Sequence, residues 1–102
     1  MYIIAYSFKV NTEIQAKWLE WVKQVFIPQH LATQLFLDFK LTRVLDRSSE
    51  DGQTYSIQFT AQSLGLLQKF SAQYSSTILK EHHQQFAGQY VSFQTVMEVI
   101  AS

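Results

Sequence analysis

Two periodicities alternate along this chain, and their order constrains the fold more than any other feature. Four stretches alternate apolar and polar residues with the two-residue period of a strand. Two others repeat apolar residues at helical spacing, so that the order reads β-α-β-β-α-β. Residues 2–10 put Tyr2, Ile4, Tyr6, Phe8 and Val10 on one face and Ile3, Ala5, Ser7 and Lys9 on the other, which predicts a first strand. Asn11 and Thr12 offer a helix N-cap, and Thr12 with Gln15 three residues on matches a capping box. Ile14, Trp18, Trp21, Val22 and Val25 follow at helical spacing. Pro28 disfavours helical backbone at Ile27, so this helix is expected to stop near Phe26, with a turn or a further helical segment over 29–34.

Leu37, Phe39, Leu41, Arg43 and Leu45 alternate with Asp38, Lys40, Thr42 and Val44, predicting a second strand. Residues 46–52 form a turn cluster rich in Ser, Asp and Gly. Tyr55, Ile57 and Phe59 against Ser56, Gln58 and Thr60 give the cleanest alternation in the chain, and so short a connection predicts an antiparallel hairpin. Ser63 is placed to cap a second helix carrying Leu64, Leu67, Phe70 and Tyr74 on one face, and Ile78, Leu79, His82 and Phe86 extend or resume it. The Ser75-Ser76-Thr77 run predicts a kink or break, and Gly88 a C-terminal glycine. Val91, Phe93, Thr95, Met97 and Val99 alternate with Ser92, Gln94, Val96 and Glu98 in a last strand.

Two right-handed β-α-β crossovers joined by a hairpin give an α+β, ferredoxin-like sandwich. A four-stranded antiparallel sheet in the order 4-1-3-2 is expected, with both helices on one face, as a single domain over residues 1–102. The helix-facing side is expected to carry Tyr6, Phe8, Ile57, Phe59, Phe93 and Met97. The other face then carries Ser7, Lys9, Lys40, Thr42, Ser56, Gln58, Thr60, Ser92, Gln94 and Glu98, with Ile3, Ala5 and Val96 among them. Such a semi-polar face either meets water or packs on a second copy to close a dimeric α/β barrel, and the homodimer is the favoured expectation.

With 47% apolar and 15% aromatic residues the chain can fill a core. Its 8 basic and 8 acidic residues cancel, and with no basic cluster to track a phosphate backbone nucleic acid is not expected as a partner. Cysteine is absent, which removes disulfides and thiolate chemistry and suits a cytoplasmic location. Residues 1–10 are apolar but too short to span a bilayer, and they lack the basic start of a signal peptide, so no membrane partner is expected.

The run Trp18-Leu19-Glu20-Trp21, the Ile27-Pro28 step, Leu31-Ala32-Thr33, Thr54 to Phe59, Lys80-Glu81-His82 with Phe86, Val91 to Phe93 and Thr95 to Val99 together carry a resemblance. In order and spacing the chain resembles an uncharacterised family of small bacterial proteins, a domain of unknown function, over nearly its whole length. The resemblance implies the ferredoxin-like fold and a homodimer, and names no reaction. Two departures stand out. Phe26 occupies the place before Ile-Pro where the family usually has histidine, so any chemistry of that histidine is lost here, and Leu35 stands where the family often has glycine. By wider analogy, dimeric α/β barrels include haem-degrading and quinone-forming monooxygenases and amino-acid sensors.

Few residues invite a chemical role. His82 and His83 sit late in the second helix, about 100° apart, so they do not chelate as an i, i+4 pair would. His82 is a candidate ligand or base, against the plainer reading that it packs or caps the helix end. His30, after the Ile-Pro step, is expected to be exposed. Glu98 is expected on the polar face, partnered by Lys9 or Lys40, as a ligand anchor or a structural ion pair. Trp18 and Trp21 share a helix face and are read first as core, and second as a stacking platform for a flat ligand. The ligand-binding candidates are thus Glu98, His82, Lys9 and Trp18, with catalytic residues unknown and no metal site or cofactor expected. The 3 glycines, at 52, 65 and 88, form no phosphate loop, and no His-x-x-x-His or Glu-x-x-His pair occurs.

Two functions lead, ahead of a third, protein–protein regulation through an exposed sheet edge. The first is a non-enzymatic homodimeric module that binds a small molecule or a protein, favoured because no set of reactive side chains converges. The second is a small monooxygenase-like or haem-binding enzyme of the dimeric α/β-barrel type, using His82 or Glu98.

Overall fold

A computed structural model describes residues 1–45 and 52–102. The predicted turn over 46–52 lies outside them except for Gly52. Strand β1 (Tyr2–Asn11) enters a helical run made of a 3₁₀ turn (Thr12–Ile14), helix α1 (Gln15–Trp21), a π turn (Val22–Phe26) and helix α2 (Ile27–Leu31). Strands β2 (Asp38–Arg43) and β3 (Gly52–Ala61) follow, then helices α3 (Leu64–Gln73) and α4 (Ser75–Phe86), and strand β4 (Tyr90–Glu98). The sheet is antiparallel in the order β2-β3-β1-β4, as the sequence predicts. It is a ferredoxin-like α+β sandwich. The sandwich buries Ile4, Tyr6, Phe8, Val10, Tyr55, Ile57 and Phe59 of the sheet against Trp18, Val22, Phe26, Phe70 and Phe86 of the helices.

Three local expectations hold. Ser63 caps α3, its Oγ accepting the Leu66 N–H at 3.2 Å. The backbone breaks at Tyr74, between α3 and α4. Gly88 takes φ +77°, the left-handed conformation that lets the chain leave α4 and turn into β4.

The first helix departs from expectation. It does not stop near Phe26 but runs through Pro28 to Leu31, with Ile27 at φ −65°, ψ −49°. Proline lacks the N–H that would bond four residues back, and its ring crowds the carbonyl there. The chain widens by one residue just before that point. The Ile27 N–H reaches the carbonyl of Val22, five residues back, and the wide turn accommodates Pro28 without breaking the helix. The capping box is also not formed. Asn11 makes no side-chain cap, and Gln15 instead sends its amide to the Tyr55 hydroxyl. At the far end Ala32 N–H bonds the Pro28 carbonyl at 2.9 Å and Thr33 Oγ1 donates to the His30 carbonyl at 2.7 Å. Gln34 then takes φ +62° to leave the helix.

Candidate functional site

The wide turn has a direct consequence for His30, which is not exposed but fully buried. Continuing the helix past Pro28 brings His30 one turn after Phe26, onto the inner face. Its Nδ1 donates to the Phe26 carbonyl at 2.7 Å, an oxygen that can only accept, so Nε2 is unprotonated and accepts from the Tyr6 hydroxyl at 3.0 Å. The ring stacks on Phe59, 4.1 Å between centroids and 5° from parallel, with Phe70 on another side at 5.0 Å. Burial lowers its pKa to about 4, although the Phe26 carbonyl pulls the other way, and burial raises that of Tyr6.

His82 is the second buried imidazole. The Trp18 indole N–H donates to its Nε2 at 2.9 Å, and Phe8 and Tyr90 lie 4.6 and 4.5 Å from it between centroids. Burial, and then the neighbouring His83, lower its pKa to about 4. The lone pair that would ligate iron or take a proton is thus already engaged by Trp18. Trp18 is itself fully buried against Phe8 and Tyr55, and presents no face to a ligand. The space between sheet and helices is filled with aromatic rings. Among the described residues, no group of three or more metal-ligating side chains converges.

The uncovered face of the sheet is different, and here the sequence misassigns one strand. Phe93 pairs with Ser7 and Met97 with Ile3, so both lie on the uncovered face rather than against the helices. Glu98 pairs with Tyr2 and Ser92 with Phe8, so both lie on the helix side. Glu98 is therefore across the sheet from Lys9 and Lys40. Its carboxylate lies beside the Tyr2 hydroxyl and raises the Tyr2 pKa. The reason for the misassignment is that β4 is an edge strand beyond the helix cover. Apolar residues occur in both of its alternating sets, and beyond Tyr90, which packs on the core, every residue of the strand is exposed.

Register makes the uncovered face readable row by row. From β2 to β4 the rows are Asp38-Thr60-Ile3-Met97, Lys40-Gln58-Ala5-Thr95 and Thr42-Ser56-Ser7-Phe93. A further row sets Thr54 beside Lys9 and Val91. The β2–β3 half is polar, and the β4 half is apolar and open, with Phe93 75% and Val91 60% exposed. Lys9 is exposed on this face, as expected. Two depressions mark it. One of about 220 Å³ lies among Ile3, Asp38, Lys40, Gln58 and Thr60. The other, of about 710 Å³, runs from Asp38, Thr60 and Ile3 to Met97 and residues 99–102. A third cavity, about 350 Å³, opens on the opposite side of the molecule between Gln29, Thr33, Tyr74 and Ile78.

The fold and the bare sheet face define a ferredoxin-like protein of the kind that solved structures show in several lineages. A ferredoxin-like protein from an uncultured marine organism, described as dimeric, superposes with a TM-score of 0.74 at 14% identity, covering 100% of this chain and 97% of that one. An ethyl tert-butyl ether degradation (EthD) family protein from Bacillus halodurans gives 0.70 at 15%, covering 98% and 100%. SnoaB from Streptomyces nogalater, a cofactor-independent oxygenase, gives 0.63 at 11%, covering 99% and 95%. These likenesses establish the fold. No curated protein matches the sequence. The chain belongs to the family described as Domain of unknown function (DUF4286), whose model matches residues 1–100.

Proposed function

We propose that this protein is a homodimeric binding module, in which two copies set their uncovered sheet faces together and hold a small molecule between them. The observation that carries the reading is the apolar strip of β4, where Val91, Phe93 and Met97 project from the bare face of a nine-residue edge strand. Long exposed apolar edges are rare unless something covers them. Fully burying each such side chain is worth about 1.5–3 kcal/mol. Scaled by the exposure each still has (Val91 60%, Phe93 75%, Met97 37%), six of them across a two-fold pair supply roughly 5–10 kcal/mol, within the roughly 4–15 kcal/mol that association costs. The strip therefore supports a dimer with little to spare, and a single charge placed in it should undo the dimer.

The polar β2–β3 half of the face supplies the hydroxyl and amide groups that line a site between the sheets. The enzymatic alternative is weaker, because Trp18 holds His82 and Glu98 lies beside Tyr2 on the far side of the sheet. Among the described residues, no helix is long and apolar enough to cross a membrane. Light scattering on the purified protein at micromolar concentration is expected to give the mass of two chains, and Phe93→Asp that of one. A one-chain mass for the unaltered protein would overturn the reading.

A further inference from the structure

We infer that the cavity between α2 and the break at Tyr74 is a second binding site, for a small amine carried on an apolar body and held as its ammonium. The cavity, about 350 Å³, falls in the range of small-molecule sites, about 300–1,000 Å³. Ala32, Tyr74 and Ile78 give it apolar walls, and Gln29, Thr33 and Thr77 its polar groups. It opens away from the uncovered sheet face, so it does not depend on the homodimer. The Gln29 amide marks what is missing. Its Nε2 donates to the Glu81 carboxylate, which can only accept, so the amide is held one way round and Oε1 is left over. That oxygen is buried without a hydrogen-bond partner, the one such side-chain atom among the described residues.

The groups around this oxygen also call for a donor and a positive charge. Thr33 Oγ1 has already given its hydrogen to the His30 carbonyl. Glu81 lies one turn after Thr77 and Ile78 on the same face of α4, and no basic side chain comes within 4.0 Å of it among the described residues. The C-terminus of α3 and the N-terminus of α4 offset each other at Tyr74. The carbonyl end of the helical run over 12–31 is not offset, since the basic residue of its last turn, His30, is neutral. An ammonium answers all three needs: an N–H for Oε1, a counter-charge for Glu81 and a cation at the helix end. An alcohol answers only the first, and a carboxylate none. The wall beside Gln29 must open slightly to admit the donor, because Oε1 is closed to water as it stands. Burial of the apolar body against Ile78 and Tyr74 offsets that opening.

The test titrates the isotope-labelled protein near neutral pH with phenethylamine, 2-phenylethanol and trimethyl(phenethyl)ammonium. The alcohol keeps a donor but lacks the charge, and the quaternary ion keeps the charge but lacks an N–H. Phenethylamine is expected to shift the amide resonances of Ala32, Thr33, Tyr74, Thr77 and Ile78, with each analogue at least tenfold weaker. Glu81→Gln, which still offers Gln29 an acceptor, is expected to abolish the preference over the alcohol, and Gln29→Met the preference over the quaternary ion. Thr77→Trp, at an exposed position, fills the opening and is expected to remove the shifts. No shift with phenethylamine, or equal binding of either analogue by the unaltered protein, overturns the proposal even if a variant fails to fold. The readout is the same for one chain or two, so neither result bears on the homodimer.

Discussion

Acid should unfold this protein earlier than its carboxylates alone would allow, because two imidazoles are buried neutral. His30 and His82 each have a folded pKa lowered from 6.5 to about 4, chiefly by burial. The unfolded chain therefore takes up a proton on each as pH falls through 6.5, while the folded chain does not until about pH 4. Above pH 6.5 both states are neutral and the two histidines contribute no pH dependence. Between these limits stability falls by about 1.4 kcal/mol per pH unit for each imidazole, and below about 4 it levels off. Over the whole interval each costs about 3 kcal/mol. Together they remove about 6 kcal/mol, comparable with the entire stability of many domains of this size. The assay is urea denaturation at fixed protein concentration from pH 7.5 to 5, a range above most carboxylate titration. Two protons' worth of slope is expected, and His82→Leu or His30→Gln should each halve it. The slope counts protons, so it remains readable even if a variant is less stable overall. Flat stability between pH 6.5 and 5, or either ring titrating near 6.5 in the folded protein, would show that the two imidazoles are not held neutral by burial.

Other expectations follow from single contacts. Trp18→Phe keeps an aromatic ring but strands the buried Nε2 of His82, and should cost about 1–3 kcal/mol in chemical denaturation. An equal midpoint would show that the bond contributes nothing. Gly52→Ala would drive a methyl group into the Val10 carbonyl at the β1–β3 pairing, and should lower stability by about 1–3 kcal/mol with no change in helix content by circular dichroism. Glu98→Gln removes the carboxylate that holds the Tyr2 phenol protonated. The Tyr2 ring resonances should then titrate at lower pH, back toward the ordinary value of 10.0, and an unmoved titration would exclude the contact.

The sequence was most legible where one face of an element is fully buried. Tyr55, Ile57 and Phe59 announce β3 because the core demands that alternation, and Ser63 announces α3 because its hydroxyl satisfies an otherwise orphaned N–H. It was least legible where burial is one-sided or absent. β4 lies outside the helix cover, so neither alternating set is selected for burial, and Phe93, Met97 and Glu98 read on the wrong faces. Pro28 misled for another reason. The local rule against helix before proline is sound for an α-helix, but a turn widened by one residue evades it, and the tight packing of Phe26 and His30 stabilises that exception. The two aromatics spaced by four, with Tyr6 opposite in β1, were the only signal in the sequence that His30 belongs inside.

The wide turn at 22–26 makes this segment sensitive to chain length rather than to side-chain identity. Removing one residue there would restore an ordinary helix and rotate everything beyond it by about 100°. His30 would swing away from Tyr6, and Pro28 would meet the carbonyl it now avoids. Point substitutions at the exposed Lys23 and Gln24 leave that geometry alone, so homologous chains should vary freely at those two positions while keeping the number of residues between Trp18 and His30 constant.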